Sequence, residues 1–506
     1  MSIKKSFEEF YKSFGFIEYP FSKYTSENEI DKIEKLFIEP LDYSPIKENF
    51  ENNTTMIIIG DRGTGKTAIL YDLLRKIEND KNIVCIIEDF SKLRDIPLNN
   101  EFYEMLITRL ADEVFTKLID KTEKIKLLNK EEKLLLSYIL SKFINNLTQR
   151  NLREKIQMIQ ISKLKRNALK IYNYLRLVIN YGATAAANFI NDALRNHFSY
   201  LPPLEESMIK EFFPELCQEL DTDFKADEVS YDLLNRFTNI IYKMKFEKIT
   251  LMIDKIDEDA RCDSDAGWIA DFIKPLLTDN KLLLNTKLQI VVFMWAIPFN
   301  FLKSTIRTQK HYCPNLRWRK DDLINALNRR IFLFTKGNCN DYRELFDDTI
   351  TEEDYNLIFR LANSNPRDLW HVFNRLFEVQ YEKDSNKTKI NKEAIQLGII
   401  RFVQRFNYYE YYPKKKNSKA NSMYIYAYIG HLLKLTEKEF TKNQLSESAG
   451  TGGRTSTYTD NMESIGLIAR TDKKINNGVV YEIIDPKVVF ALENGLEITG
   501  FANASS

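Results

Sequence analysis

The stretch Met56–Thr67 reads MIIIGDRGTGKT and decides the fold. It joins an apolar strand, Met56–Ile59, to a loop of the form G-x-x-x-x-G-K-[ST], and a helix is predicted directly after it, over Ala68–Ile77. Glycines in such a loop let backbone N–H groups turn inward onto phosphate oxygens, and the N-terminus of the following helix adds partial positive charge. The pattern therefore predicts a phosphate-binding loop at the end of a buried strand.

The loop also predicts which residues hold a nucleotide and its metal ion. Lys66 is expected to bridge the β- and γ-phosphates of ATP, and the Thr67 hydroxyl is expected to ligate Mg²⁺. ATP and Mg²⁺ are thus the predicted ligands. The full predicted nucleotide-binding set is Gly60, Gly63, Thr64, Gly65, Lys66, Thr67 and Ala68.

A second apolar strand, Ile249–Ile253, ends in the acidic run Asp254-Lys255-Ile256-Asp257-Glu258. Asp254 is the predicted partner of Thr67 in holding Mg²⁺, directly or through water. A carboxylate just beyond the metal ligand can orient or deprotonate the attacking water. Glu258 is the predicted catalytic residue for that step, and Asp257 is the alternative.

The remaining pattern divides the chain into four parts. Two more short apolar strands, Ile83–Ile87 and Leu288–Met294, complete a predicted parallel sheet covered on both faces. The predicted parts are an N-terminal segment over 1–55 with a helix at Glu27–Phe37, a core over 56–318 with a helical insertion at about 100–245, a helical lid over 319–410, and a separate compact unit over 420–506. The Tyr- and Lys-rich stretch Tyr408–Lys419 is predicted to be a linker. Within the insertion, the small residues of 180–193 are predicted to form a buried helix contact.

The last part is predicted to be a winged helix-turn-helix. Its predicted elements are helices at Met423–Leu435, Thr441–Ala449 and Arg454–Ile465, a strand at Gly466–Arg470, a wing tip at Thr471–Gly478 and a strand at Val479–Ile484. If this unit reads DNA, the third helix and the wing supply the contacts. The predicted contacts are Thr455, Ser456, Thr457, Tyr458 and Asn461 toward the groove or phosphates, and Arg454, Lys473 and Lys474 toward phosphates. Residues 405–500 carry 13 Lys and Arg against 11 Asp and Glu, which is a weak charge signal for nucleic-acid binding.

Composition excludes several classes of protein. The net charge of +1 excludes a polycation that coats nucleic acid by bulk charge. Five scattered cysteines without a C-x-x-C pair argue against a disulfide framework and a zinc site. There is no apolar run of the ~18 residues that a transmembrane helix needs. The charged N-terminus does not have the form of a secretory signal. Together these features predict a cytoplasmic protein.

The loop and the acidic run resemble those of AAA+ and STAND P-loop ATPases, and the D-x-x-D-E form is similar to that of bacterial defence ATPases. Ser364-Asn365-Pro366-Arg367 resembles the sensor-2 signature of their helical lid. The resemblance implies that Arg367 reaches the γ-phosphate, although the same residues also make a good helix cap. Phe14-Gly15-Phe16 and Pro20-Phe21 resemble the entry that packs near adenine in this family. Candidate arginine fingers are Arg307, Arg329 and Arg330.

One departure concerns the end of the fourth strand. AAA+ proteins carry a polar sensor there, whereas Val291-Val292-Phe293-Met294-Trp295-Ala296 offers none. This favours a STAND-like switch that hydrolyses ATP slowly.

The predicted protein is therefore an α/β P-loop ATPase with a helical insertion, a helical lid and a C-terminal winged helix. The first functional hypothesis is a nucleotide-driven switch in bacterial defence against phage or mobile DNA, forming a homo-oligomer and acting with a protein partner or effector. The alternative is a DNA-transaction ATPase, of the initiator or transposition-helper type, that binds DNA or RNA through the winged helix. A GTPase or metabolic kinase fits poorly, because the chain has no N-K-x-D guanine-reading motif and no evident acceptor-binding lid.

Overall fold

The structure is a computed structural model that describes residues 4–118, 121–144, 200–201, 209, 211–216, 223–414, 424–476 and 478–499. Among these residues, no helix is both long and apolar enough to cross a bilayer. The predicted helix contact at 180–193 lies outside the described residues.

A parallel sheet of four strands forms the centre of the N-terminal part and confirms the predicted α/β core. Its strands run in the order β1-β4-β3-β2. They are β1 (Met56–Gly60), β2 (Asn82–Ile87), β3 (Lys248–Ile253) and β4 (Gln289–Trp295). Nearly every strand residue is buried, which explains the uninterrupted apolar runs.

The parallel register brings three strand ends together at one edge of the sheet. Gly60 at the end of β1 pairs with Trp295 at the end of β4. Ile253, the residue before Asp254, pairs with Val292 on the other side of β4. A further segment lies beside β1, where the Leu316 N–H donates to the Ile59 carbonyl at 2.8 Å. The phosphate loop and the acidic run therefore share this edge, and β4 lies between them.

Helices cover both faces of the sheet and make up the described part of the insertion. They are α1 (Phe7–Lys12), α2 (Ile33–Leu36), α3 (Tyr43–Glu51), α4 (Lys66–Ile77), α5 (Asn99–Leu118), α6 (Lys130–Ile144), α7 (Asp223–Lys243), α8 (Ala266–Thr278), α9 (Asn280–Leu283) and α10 (Ala296–Leu302). The predicted continuous helix at Glu27–Phe37 is wrong. A 3-10 helix, Ser26–Lys32, precedes α2, and the backbone kinks at Glu29, whose carboxylate turns inward to pair with Arg330.

Four helices follow the sheet in the region predicted as a lid. They are α11 (Lys320–Phe334), α12 (Glu352–Leu361), α13 (Pro366–Lys383) and α14 (Lys392–Gln404). The N-terminal aromatics Phe10, Phe14, Phe16 and Phe21 pack into the same core as Phe377 of α13. The beginning of the chain therefore completes the core of these helices.

The C-terminal elements combine helices with a small antiparallel sheet. They are α15 (Ile425–Leu432), β5 (Glu439–Thr441), α16 (Lys442–Ala449), α17 (Thr455–Ser464), β6 (Ile468–Ile475), β7 (Gly478–Ile483) and α18 (Pro486–Glu493), with strand order β5-β7-β6. The sequence pattern does not predict strand β5 or helix α18. The predicted wing tip at Thr471–Gly478 is also wrong over most of its length, because β6 continues to Ile475.

Several predicted nucleic-acid contacts on α17 point inward. Thr455 is buried and its hydroxyl bonds to the Gly452 carbonyl. Asn461 donates to the Tyr428 hydroxyl at 3.1 Å, and Tyr458 stacks on His431 of α15. Ser456 and Thr457 remain exposed beside Arg454. The prediction of five outward-facing side chains on this helix is therefore wrong for Thr455, whereas Tyr458 and Asn461 are half-buried and their contacts with nucleic acid stay a prediction.

The described part of the predicted linker is packed rather than solvated and forms a strap, defined here as residues 407–414; residues 415–419 lie outside the described residues. Tyr408, Tyr411 and Tyr412 are buried in a core shared by the lid helices and the C-terminal elements. The Tyr411 hydroxyl accepts from Asn365 at 2.7 Å, and the Tyr412 hydroxyl donates to Asp485 at 3.0 Å. This core is continuous from the lid helices to the C-terminal elements, and the division of the chain into four parts stays a prediction.

A buried ion pair joins the lid to α18. Lys487 is fully buried, and its Nζ lies 3.2 Å from Asp368 of α13 and 3.7 Å from Asp485. Burial raises the pKa of Asp368 to about 6, although Lys487 opposes this shift. The Lys487 ammonium also lies 4.3 Å from the centre of the Phe406 ring. This one side chain thus holds three elements together.

Removal of this lysine should destabilise the protein strongly. Lys487→Met leaves two buried carboxylates without their cation, so we expect a loss of about 3–5 kcal/mol in the free energy of unfolding. Lys438→Met is the matched control, because the Lys438–Glu482 pair is solvent-exposed and should contribute less than about 1 kcal/mol. Urea denaturation followed by circular dichroism measures both values. Equal losses in the two variants would contradict the role of the buried pair.

Candidate nucleotide-binding site

The phosphate loop has the backbone shape that its glycines predict. Gly63 and Gly65 adopt φ angles of +84° and +86°, in the left-handed region that disfavours side chains. A Cβ at Gly60 would lie 2.7 Å from the Thr64 hydroxyl, which itself donates to the Asp61 carbonyl. The loop ends at the N-terminus of α4. Its backbone and the helix end therefore form a concave surface suited to an anion.

Lys66 lies folded onto its own loop. Its Nζ donates to the carbonyls of Gly60 and Asp61, both at 2.9 Å. Burial lowers the pKa of Lys66, and the carboxylates of Asp257 and Asp254 oppose this shift. The Lys66 ammonium therefore lies at the loop, and phosphate oxygens could replace the two carbonyl oxygens that accept its hydrogen bonds.

Thr67 and Asp254 meet across the end of β4. The Thr67 hydroxyl donates to Asp254 Oδ2 at 2.9 Å, and Asp254 is buried. Burial raises the pKa of Asp254, while Lys66 and the Thr67 hydrogen bond oppose it. A hydroxyl and a carboxylate at this distance fit Mg²⁺, which binds to one or two protein oxygen ligands together with phosphate oxygens and water.

The two candidate catalytic acids have different surroundings. Asp257 Oδ2 accepts from Arg62 Nε at 2.6 Å. Burial alone would raise the pKa of Asp257, but the Arg62 guanidinium and the Lys66 ammonium outweigh it and hold the pKa below its usual value. Glu258 faces the pocket, and within the described residues its carboxylate forms no hydrogen bond or ion pair. Burial by the pocket wall raises the pKa of Glu258, and Lys255 opposes the shift.

Lys255 ties this acidic turn to two neighbouring segments. Its Nζ lies 3.0 Å from Glu27 in the N-terminal segment and 3.1 Å from Glu88 at the end of β2. Its backbone adopts a φ of +58°, which is uncommon for a lysine. The turn that carries Asp257 and Glu258 is therefore held at its beginning as well as at Arg62.

The lid touches the loop through the residues around its predicted sensor. Asn365 caps α13 by accepting from the Arg367 N–H at 2.9 Å, and its Nδ2 donates to the Arg62 carbonyl at 2.6 Å. The Arg367 side chain lines the pocket, and its Nη1 lies 3.8 Å from Glu410 of the strap. Its buried Nε has no hydrogen-bond partner in the described chain. Arg367 thus faces the phosphate end of the pocket, beside the predicted cap.

The pocket is a cavity of about 470 Å³ that runs from the loop toward the N-terminal segment. Away from the loop, its lining combines the apolar and aromatic residues Tyr24, Ile33, Leu36, Phe37, Ile38, Pro40, Ala326 and Trp370 with the charged residues Lys23, Glu27, Glu29 and Arg330. The Tyr24 ring stacks on His371 with centroids 3.8 Å apart. The stretch Phe14–Phe21, expected near a base, instead packs in the lid core, and the residues just after it line the cavity.

The three candidate arginine fingers differ in their burial and in their contacts. Arg330 is buried and bonds to both carboxylate oxygens of Glu29, at 2.8 and 2.9 Å, so its prediction as a finger is wrong. Arg329 is exposed and donates to the Lys35 carbonyl. Arg307 is exposed. The finger role of these last two stays a prediction.

Sequence reasoning missed three contacts at this site. Trp318 donates from its indole N–H to the Thr64 carbonyl at 2.9 Å and covers the loop. Arg62 occupies a variable position of the loop motif, yet it stacks on Trp295 at 4.1 Å. The strap lines the phosphate end of the pocket through Tyr409 and Glu410. The tyrosine run of the strap was the available signal, since aromatic clusters are usually packed.

Comparisons with known proteins give little beyond this geometry. No family model matches the chain, and no curated protein matches it. Among solved structures, the chain is similar to the Aeropyrum pernix ORC2 protein in its ADPNP-ADP complexes, with 9% identity, a TM-score of 0.41, and coverage of 90% of this chain and 95% of that chain. It is also similar to Drosophila ORC bound to DNA, with 10% identity, a TM-score of 0.31, and coverage of 97% and 92%. At such low identity and TM-score, neither likeness establishes a function or a site residue for this chain.

Substitution of Gly63 should disturb the loop and the lid together. A Cβ there would lie 2.6 Å from Asn365 Oδ1 and 2.9 Å from Arg367 Cβ, at a φ that already disfavours side chains. We expect Gly63→Ala to weaken ATP binding by about tenfold or more, since even ~1.4 kcal/mol of misfit has that effect. Titration with a fluorescent ATP analogue measures the affinity.

Gly453→Ala serves as the control, because a Cβ at Gly453 would meet nothing within 4 Å. It should bind ATP like the unchanged chain. A Gly63→Ala variant with unchanged affinity would show that the lid does not abut the loop as described.

Proposed function

We propose that this protein binds ATP with Mg²⁺ and hydrolyses it. The observation that carries the proposal is the 2.9 Å hydrogen bond from Thr67 to Asp254 at the end of a glycine loop and the start of a helix. These two oxygens and Lys66 are the groups that hold the metal ion and the terminal phosphates in P-loop enzymes. The adjoining cavity has room for a base and ribose at its apolar end.

The chemistry follows from the charges around the loop. Lys66 leaves the carbonyls of Gly60 and Asp61 and binds the β- and γ-phosphate oxygens. Thr67 and Asp254 would hold Mg²⁺, which would neutralise charge that develops on the phosphates. Glu258 accepts a proton from a water molecule as that water attacks the γ-phosphorus and the bond to ADP breaks. Arg367 contacts the γ-phosphate and thereby distinguishes ATP from ADP.

The surroundings of the two acids favour Glu258 as the base. Asp257 is committed to Arg62, whereas Glu258 faces the pocket without such a partner among the described residues. Although Glu258 is exposed, its partial desolvation in the pocket raises its pKa, which makes it a better proton acceptor than a carboxylate with the usual pKa. ATP rather than GTP is proposed, because the chain has no N-K-x-D motif.

A set of four single variants tests this function. Lys66→Ala should lose most of its ATP affinity, because it removes the cation at the phosphates. Glu258→Gln should still bind ATP but lower kcat by at least about 100-fold, in the range known for loss of a general base. Asp257→Asn should lower kcat by less than about tenfold. Asp254→Asn should weaken only the Mg²⁺-dependent part of binding.

Phosphate release and fluorescent-ATP titration give the two readouts. Equal ATP affinity in Lys66→Ala and the unchanged chain would refute the loop assignment. Loss of turnover in Asp257→Asn but not in Glu258→Gln would move the base by one residue.

A second candidate function is nucleic-acid binding by the C-terminal elements, as in the alternative DNA-transaction hypothesis. It is favoured by the exposed Arg454, Ser456 and Thr457 at the start of α17 and by the exposed Lys474 on the β6–β7 hairpin. Lys473 contributes less than predicted, because both Glu439 carboxylate oxygens lie 2.8 Å from its Nζ. The defence role, the effector partner and the homo-oligomer stay predictions from the resemblance.

The salt dependence of DNA binding tests this second function. With Arg454 and Lys474 as phosphate contacts, log K against log[salt] should fall with a slope of about −2, from about −0.9 per contact. Fluorescence anisotropy of a labelled duplex with the full chain measures this slope. Arg454→Ala should reduce the slope by about one, whereas Lys438→Ala, the control on an exposed pair, should leave it unchanged. No binding at low salt would refute this candidate.

A further inference from the structure

Arg62 lies inside the phosphate loop but makes its contacts with other segments. Its Nε donates to Asp257 Oδ2 at 2.6 Å, and its Nη2 donates to the Asp257 carbonyl at 3.3 Å. Its Nη1 donates to the Ser264 hydroxyl at 3.2 Å and to the Tyr409 carbonyl at 3.3 Å. Its face stacks on Trp295 at 4.1 Å. The guanidinium is therefore fixed along its edge and on its face.

These contacts decide the orientation of the acidic turn. Arg62 binds both the side chain and the backbone of Asp257, so the turn cannot rotate without breaking a nearly buried ion pair, in which the two side chains are 13% and 15% exposed. Asp257 is thereby occupied, and the next residue, Glu258, projects into the pocket. A guanidinium presents several N–H groups in a fixed plane, which a lysine ammonium does not.

Trp295 accounts for the position of the Arg62–Asp257 ion pair at this edge of the sheet. It ends β4, between the loop and the acidic turn, where the sequence offers no polar sensor. Its ring instead gives Arg62 a surface to stack on, which favours one position of the guanidinium. The Tyr409 carbonyl of the strap accepts a hydrogen bond from the same guanidinium.

We propose that Arg62 is a positioning residue for ATP hydrolysis, which holds the Asp257 carboxylate away from the γ-phosphate so that Glu258 alone acts there. This inference rests on the proposed ATPase function. The competing role for Arg62 is that of a phosphate-binding cation. The two roles differ in what happens when Asp257 loses its charge, because only a positioning role runs through that carboxylate.

The experiment is a double-mutant cycle on the full chain. Arg62→Ala leaves Asp257 as an unpaired carboxylate near the phosphates, so kcat should fall by about tenfold or more while the Kd for ADP changes little. In the double variant Arg62→Ala, Asp257→Asn, kcat should return to within about threefold of Asp257→Asn alone, since the two changes act on one interaction.

A matched ion pair in the same turn gives the control. Arg261 pairs with Asp259 at 2.8 Å and neither residue lines the pocket. Arg261→Ala, alone and with Asp259→Asn, should change kcat by less than about threefold. If Arg62→Ala does not fold, as judged by circular dichroism, Arg62→Gln replaces it in the cycle, because glutamine keeps an N–H donor for the Tyr409 carbonyl.

The outcomes distinguish the positioning role of Arg62 from the proposed ATPase function. Recovery of kcat in the double variant supports the positioning role. An unchanged chain that hydrolyses ATP, together with a double variant as slow as Arg62→Ala, overturns the inference and leaves the ATPase intact. A kcat unaffected by Arg62→Ala also overturns it. An unchanged chain that does not hydrolyse ATP refutes the proposed function and this inference together.

Discussion

The hydrogen bond between Thr67 and Asp254 is the contact on which the rest of the site depends. Its two residues lie beyond the ends of strands that are not neighbours, because β4 lies between β1 and β3. The contact exists only if the strands end on the same side of the sheet and α4 begins directly after the loop. The parallel register of the sheet meets this condition, since Gly60 pairs with the last residue of β4 and Ile253 pairs within the same strand.

Much of the core could be predicted from the sequence for a simple physical reason. Strands covered on both faces are apolar at nearly every position, so Met56–Ile59 and Ile249–Ile253, in which Thr250 is the one polar residue, stand out from a charged chain. The loop could be predicted because its glycines meet a backbone requirement that other residues do not. In both cases the constraint is local, and a short stretch of sequence carries it.

What could not be predicted depends on contacts between distant residues. Arg62 occupies a position of the motif that tolerates any side chain, so its ion pair with Asp257 cannot be predicted from the motif. Strand β5 has three residues and exists because β7 pairs with it. The strap resembles a solvated linker in composition, yet its Tyr411 and Tyr412 hydroxyls are hydrogen-bonded to Asn365 and Asp485. Arg330 could not be separated from an arginine finger without knowledge of Glu29.

Asn365 contacts both the phosphate loop and the strap. Its side-chain amide donates to the phosphate loop at Arg62 and to the strap at Tyr411, and three residues further along α13 Asp368 pairs with Lys487 of α18. If a ligand of the C-terminal elements shifts α18 or the strap, the shift must therefore be felt as a change in free energy at the nucleotide pocket. Linkage makes such an effect mutual: the factor by which that ligand alters the affinity for nucleotide equals the factor by which nucleotide alters the affinity for the ligand.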